Sequence, residues 1–456
     1  MIDTDLKAFE SDLNEVLNLF PDSENIKVRH AFKEGNGKVV NTVTVNGSVF
    51  AYGNLINKNA SDIERKRLVK RYAKLSLYKA LSKKLGVDLP WGALTGIRPT
   101  KLAYKQLEDT GEFFDFFQNT MKVTKEKTLL TQAVLDNQKG IYSKEQDLTD
   151  FFVFIPFCPT RCKYCSFITA DVKSAQKHVE KYVETLIDEI DHSKQFIKKL
   201  RSIYVGGGTP VALSDELLDK VLTAIDSVNT GVEYTVEAGR PDSITESNLE
   251  ILKRHNVTRI CINPQTFNDK TLKLLGRNHT GADVIEKYQL AKGKFDVNMD
   301  LIAGLPGESL EDFKYSLDKA IELHPENITV HTLCVKKGSF LAEEVKRLPS
   351  GDVEKMIDYT HKRLSESGYK PYYLYRQKYM AGNFENVGYA LDSKACIYNV
   401  DVMEEIASTV ANGANAISKR FYSSEDRIER SASPKDVLTY IEKIERIKAD
   451  KEELFR

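Results

Sequence analysis

The stretch Phe151-Phe-Val-Phe-Ile155-Pro-Phe-Cys158-Pro-Thr-Arg-Cys162-Lys-Tyr-Cys165-Ser166 joins a run of β-favouring apolar residues to three closely spaced cysteines. A short apolar run of Phe, Val and Ile, closed by proline, reads as a strand buried on both faces. The cysteines after it have the spacing C-x3-C-x2-C. Three thiolates hold three irons of a four-iron cluster and leave the fourth open, so this loop predicts a cluster that does chemistry as well as carry electrons. A structural zinc site asks for four protein ligands, and a catalytic one draws on His and carboxylate beside a water. No fourth Cys or His lies near these three in sequence, which makes zinc the weaker reading.

Outward from this loop the chain alternates. Strands are predicted at 151–155, 202–206, 232–238, 258–262, 296–303 and 327–334. Helices are predicted between them at about 174–199, 214–228, 245–255, 279–293 and 309–323. Six strands in β-α alternation imply a parallel α/β sheet with right-handed crossovers. The loops after the strands share one rim, where α/β barrels carry their chemistry. Six repeats fall short of an eight-fold closure, so an open, partial (β/α)6 TIM-like barrel is expected over residues 149–348.

Residues 1–148 read as an N-terminal α/β accessory domain. Leu6, Phe9, Leu13, Val16 and Leu17 share one helical face, strands follow at 26–32 and 38–45, and Asn46-Gly47 closes the second. A helix is predicted from about Ser61 to Leu85, stopped by Gly86. It carries nine Lys or Arg, read as a solvated face over a packed stripe of Leu68, Tyr72, Leu75 and Leu81, with a surface for nucleic acid or tetrapyrrole carboxylates as the alternative. The run from Leu89 to Thr100 holds the only tryptophan, Trp91, and reads as an ordered loop. Residues 349–456 are expected to form a smaller, mostly helical α+β domain covering the substrate, ending in a charged surface helix.

Composition bounds the rest. Hydrophobic residues make up 41% and charged residues 29%, as in ordinary globular proteins, and 66 basic residues balance 66 acidic ones, so net charge argues neither for nor against a nucleic-acid partner. The start of the chain lacks a basic segment followed by an apolar one, and the longest apolar run is too short for a bilayer. Six cysteines, half in one cluster, fit a reducing cytoplasm and cluster ligation.

The next motif is Tyr204-Val-Gly-Gly-Gly-Thr-Pro210, after the second predicted strand. Three glycines let backbone approach a ligand closely, and the P-loop Lys-Ser/Thr is missing. Together with Ile155-Pro-Phe-Cys158, the three cysteines, Glu237, Asn263-Pro-Gln-Thr-Phe-Asn268, Leu275-Gly-Arg277 and Asp300-Leu-Ile-Ala-Gly-Leu-Pro306, the chain resembles the radical S-adenosylmethionine (SAM) superfamily. Within it the chain is similar to the oxygen-independent coproporphyrinogen III oxidases. Tyr373-Leu-Tyr-Arg-Gln-Lys378, Glu385-Asn-Val-Gly-Tyr389 and the Trp91 loop resemble the HemZ branch.

The resemblance implies roles. Cys158, Cys162 and Cys165 would bind a [4Fe-4S] cluster, with SAM chelating the fourth iron. Gly207, Gly208, Thr209 and Glu237 would meet the methionine amino end, and Arg277 its carboxylate. Gln265 and Asp300 would hold the ribose, while Tyr164, Ile302 and the backbone at Thr332 would enclose the adenine. Reductive cleavage of SAM would give a 5′-deoxyadenosyl radical, acting on a tetrapyrrole. A low-potential donor such as flavodoxin or ferredoxin would supply the electron. Arg161, Lys163, Arg240, Arg376 and Lys378 are candidate partners for substrate propionates. Two departures stand out: Phe167 replaces the fourth cysteine of the oxidases, as in the family's haem-chaperone branch, and Phe152 and Phe154 replace their Tyr and His. A haem-binding chaperone and a radical enzyme for another tetrapyrrole therefore stay open. Cys261 and Cys334 are expected to pack as small apolar residues, whereas Cys396 and His331 are weighed between packing and substrate contact.

Overall fold

In the computed structural model the apolar run becomes β1 (Leu148–Ile155), buried along its whole length except at Phe152. The structure describes the chain apart from residues 1, 21–22, 58–59, 97, 166–169, 335–338, 342–350, 378–379 and 381–382. Parallel strands follow as β2 (Lys199–Gly207), β3 (Glu233–Gly239), β4 (Arg259–Ile262), β5 (Asp296–Ala303) and β6 (Asn327–Thr332). Each pairs with its predecessor in the same direction. Strands apolar on both faces need cover outside, which the crossover helices supply.

Those helices are α1 (Val172–Ser193), α2 (Asp215–Asp226), α3 (Glu246–Arg254), α4 (Gly281–Ala291) and α5 (Leu310–Leu323). Their buried stripes, such as Leu218, Val221, Leu222 and Ile225 on α2, have helical spacing. Their starts are written in the sequence. Ser214, Thr245, Thr280 and Ser309 each accept a backbone N–H as N-cap, and the last three form capping boxes. Each such cap contributes about 1 kcal/mol.

The expected separate C-terminal domain is corrected by the strand order. After α6 (Gly351–Glu366) come β7 (Lys370–Tyr375) and β8 (Asn386–Ala390). β8 pairs antiparallel with β6, and β7 with β8. Tyr373 lies opposite Gly388, where a Cβ would fall 1.8 Å from the tyrosine ring, so glycine is required there. After α7 (Ile397–Glu404), β9 (Ser408–Asn412) joins the free edge of β1 in parallel, followed by β10 (Ile417–Tyr422) and β11 (Arg427–Ala432). One open sheet of eleven strands results, in the order β7-β8-β6-β5-β4-β3-β2-β1-β9-β10-β11. Residues 408–432, expected to be helical, are strands. Charges along β10 and β11 hide them, and such charges suit a sheet edge. The chain ends in α8 (Ile444–Phe455).

By packing, the chain divides into residues 1–132 with 376–378, and residues 133–375 with 379–456. This differs from the boundary expected at 148/149. In the first unit, Asp3–Thr4, Val28–Gly35, Lys38–Val45 and Ser48–Leu55 form a four-stranded sheet in that order. The last strand lies beyond the sequence reading, which stopped at Asn46-Gly47. Both turn residues adopt positive φ, so the turn is a tight hairpin that sends the chain back along its own edge. The basic helix runs Asp62–Leu85, capped by Ser61 and by Gly86 at φ 69°. Leu75 and Leu81 are buried on it as expected, with Leu68 and Tyr72 partly so. No described helix is long and apolar enough to cross a membrane.

Candidate active site

The C-terminal ends of β1 to β6 bring the singled-out residues to one rim. β1 runs into Phe157–Cys158, which pairs with Ala170–Asp171. The glycine turn closing β2 packs on this segment: Gly208 N–H donates to the Ile155 carbonyl and Thr209 N–H to that of Phe157, both at 2.7 Å. A Cβ on Gly208 would fall 2.4 Å from the Phe157 carbonyl oxygen, and Gly207 has φ +105°. No other residue type fits both positions. The Thr209 hydroxyl lies 3.3 Å from Cys158 Sγ. Burial pushes the Cys158 thiol up to about 11, with the Thr209 hydroxyl acting in the opposite direction.

Cys162 is buried and faces two guanidinium groups. Arg277 Nη1 and Arg240 Nη1 each lie 3.8 Å from its sulfur. Arg277 also donates to the Tyr164 hydroxyl at 2.9 Å and to the Asn263 carbonyl at 2.7 Å, while its buried Nε has no hydrogen-bond partner. Tyr164 packs against an apolar cluster containing Leu275, Ile302, Leu305 and Leu333, so two of the three residues expected around the adenine share one wall.

Glu237, near the end of β3, accepts from the Tyr204 hydroxyl at 2.7 Å and the Gly207 amide at 3.3 Å. Gly206 leaves it room, since a Cβ there would fall 2.8 Å from the carboxyl carbon. Burial raises Glu237 to about 7. Gln265 takes φ +68° and exchanges backbone hydrogen bonds with Asp300 and Ile302 at 2.8 and 2.9 Å, which puts it beside β5. The Asp300 carboxylate accepts from the Asn298 amide at 2.7 Å and lies 3.7 Å from His331 Nε2. Thr332 ends β6 with its N–H given to Asn386 and its hydroxyl to the Glu385 carbonyl.

Two of the proposed propionate partners are corrected. Arg240 is buried, bound to Asp242 and Thr160. Arg376 is buried in the first unit, over the Trp91 ring and donating to the Leu94 carbonyl. Arg161 lies over Phe340. Lys378 and Phe167 lie outside the described residues. Cys396 is buried at the start of α7 with its thiol on Glu233, and Cys261 is buried in β4. His331 is half-buried and 3.2 Å from the Tyr375 hydroxyl. Sequence reasoning missed two features: the Arg240–Cys162 approach, and the stack of Phe152, Tyr204 and Tyr398 behind Glu237, whose tyrosine rings are 4.3 Å apart. Both depend on side chains that only the folded sheet brings together.

A family model described as the radical SAM superfamily matches residues 152–320. The chain is 36% identical over 428 residues to the oxygen-independent coproporphyrinogen-III oxidase-like protein HemZ of Bacillus subtilis, covering 88% of this chain and 85% of that protein. The chain belongs to the radical SAM family of coproporphyrinogen oxidase-like proteins. It is also 35% identical over 231 residues to the haem chaperone HemW of Lactococcus lactis, covering 48% of this chain and 60% of that one. Among solved structures, coproporphyrinogen III oxidase (HemN) of Escherichia coli superposes with a TM-score of 0.54 at 22% identity, over 71% of this chain and 73% of that one. That likeness supports the partial-barrel fold.

Radical SAM proteins carry a [4Fe-4S] cluster and SAM, and this rim fits both. A buried thiol that resists ionisation becomes a thiolate under the charge of bound iron. The unpartnered, buried Nε of Arg277 suits an incoming carboxylate.

Proposed function

We propose that this protein is an oxygen-independent coproporphyrinogen III dehydrogenase, converting two propionates to vinyl groups and yielding protoporphyrinogen IX. The observation that carries the reading is the match to the HemZ protein along 88% of the chain, well beyond the segment shared with HemW. When bound, the cluster and SAM supply one-electron cleavage chemistry that takes a hydrogen atom from the propionate β-carbon. Each propionate then loses CO2 and one further electron, which passes to an acceptor. In this reading Cys158, Cys162 and Cys165 hold the cluster. Gly207, Gly208, Thr209 and Glu237 receive the methionine amino end, and Arg277 turns its fork to the carboxylate. Gln265 and Asp300 bind the ribose, and Tyr164, Ile302 and Thr332 border the adenine. Arg161 and Lys163 are the remaining described cations offered to propionates. A low-potential flavodoxin or ferredoxin supplies the electron.

The test is anaerobic reconstitution with iron and sulfide, then incubation with SAM, a strong reductant and coproporphyrinogen III. CO2 release with vinyl-bearing product is expected, and Cys158→Ser, Cys162→Ser and Cys165→Ser should each lose the cluster signal and the product. The partial identity with HemW favours one competing reading, a haem-carrying chaperone built on the same core. Stable haem binding without turnover of coproporphyrinogen would overturn the dehydrogenase assignment in its favour.

A further inference from the structure

We infer that Arg240 is a positioning residue that fixes a cationic N–H against the Cys162 sulfur and so raises the reduction potential of the cluster; this rests on the reading that the three cysteines hold it. Arg240 follows β3 at the rim, and the residue is 3% exposed. Its fork is fully anchored. Nε and Nη2 donate to the two Asp242 oxygens at 3.0 and 2.7 Å. Nη1 donates to the Thr160 hydroxyl at 2.6 Å and to the Thr160 carbonyl at 3.1 Å, both within the cysteine loop, and reaches Cys162 Sγ at 3.8 Å. Arg277 reaches the same sulfur at the same distance and also donates to the Tyr164 hydroxyl and the Asn263 carbonyl, yet its buried Nε has no partner. The two arginines therefore divide the work. Arg277 keeps one unpartnered nitrogen for SAM, whereas Arg240 stays with the sulfur because Asp242 and Thr160 hold every nitrogen.

The consequence is electrostatic. A reduced cluster carries one more negative charge, part of it on the ligand sulfurs. Hydrogen bonds and positive charge at those sulfurs favour the reduced form, more strongly where water is excluded. Asp242 opposes part of this effect, since its carboxylate faces Arg240 and sits 4.0 Å from His279 Nδ1. The pair thus predicts two shifts of opposite sign, which a loosened loop would not produce.

The experiment is a redox titration of the full-length, anaerobically reconstituted protein without SAM, followed by electron paramagnetic resonance, with iron and sulfide content measured in parallel. Arg240→Gln is expected to weaken reduction about tenfold, a downward shift of about 59 mV for a one-electron couple, and Asp242→Asn to shift the potential upward. Arg240→Lys, keeping charge without the fork, should fall between Arg240→Gln and wild type. An unchanged potential in Arg240→Gln with full iron content, or both variants moving the same way, overturns the inference. If Arg240→Gln gathers no cluster, Asp242→Asn decides: an upward shift supports the assignment and no shift overturns it. A wild-type chain that binds no cluster instead removes the underlying reading.

Discussion

Glu237 shows how far one buried carboxyl governs the rim. Burial lifts it from its ordinary 4.5 to about 7, the Tyr204 hydroxyl pulls it back down, and the nearby Asp300 charge adds to the rise. Between those two values the folded chain keeps a proton that the unfolded chain has released. The folded state is then the better proton binder, so its stability falls as pH rises from about 4.5 to 7. For a single group this loss is at most about 3 kcal/mol. Asp150 shifts the same way, for the same reason, so the wild-type curve alone is not diagnostic. Denaturation of wild type and Glu237→Gln at several pH values isolates the group: the glutamine variant should gain on wild type as pH rises toward 7 and hold that gain above it. Parallel curves would mean that folding leaves the proton affinity of this carboxyl unchanged.

At the scale of elements, the flank of the sheet at β9 is closed by a buried ion pair. Lys451 on α8 is 2% exposed; its Nζ lies 2.8 Å from Glu189 on α1, 2.9 Å from Ser193 Oγ and 2.7 Å from Asn412 Oδ1 at the end of β9. Glu189 also receives the Gly413 amide and the Tyr440 hydroxyl. Lys451→Ala leaves a buried carboxylate uncompensated, a loss of about 3–5 kcal/mol. Lys451→Met combined with Glu189→Gln should cost less than the two single changes summed, by about 0.5–3 kcal/mol. Strict additivity in urea denaturation followed by circular dichroism would exclude the pairing. None of this was legible beforehand, because a charged C-terminal stretch reads as solvated surface until it is known which strand it covers. The six parallel strands were legible because their apolar runs and the capped helices between them state their own periods. β10 and β11 were not, since charged strands toward a sheet edge need no apolar face, and β9, though buried between β1 and β10, is only the five residues Ser408–Asn412 with few β-formers. The same division holds in the site: Cys158 to Cys165 and Gly206 to Gly208 announce themselves by spacing and residue type, whereas Arg240 and Tyr398 become site neighbours through pairings far apart in sequence.

At the scale of the whole chain, the first unit is discontinuous. Residues 376–378 belong with residues 1–132, so a segment more than two hundred residues downstream completes that fold. Arg376 is its anchor. The guanidinium lies 5.2 Å from the Trp91 ring centroid and donates to the Leu94 carbonyl, while Gly92 between them takes φ +53° with the Met121 and Lys122 carbonyl oxygens where a Cβ would fall. A desolvated cation–π contact contributes about 2 kcal/mol and a buried hydrogen bond about 1 kcal/mol. Arg376→Ala should therefore destabilise the first unit by about 2–3 kcal/mol. Trp91 is the only tryptophan, so its fluorescence reports on that unit. The expected result is a fluorescence transition displaced to lower denaturant. Arg376→Lys should recover part of the loss, because an ammonium keeps the charge over the ring without the planar fork. A fluorescence midpoint unchanged in Arg376→Ala would show that residues 1–132 hold the Trp91 loop without help from the distant segment.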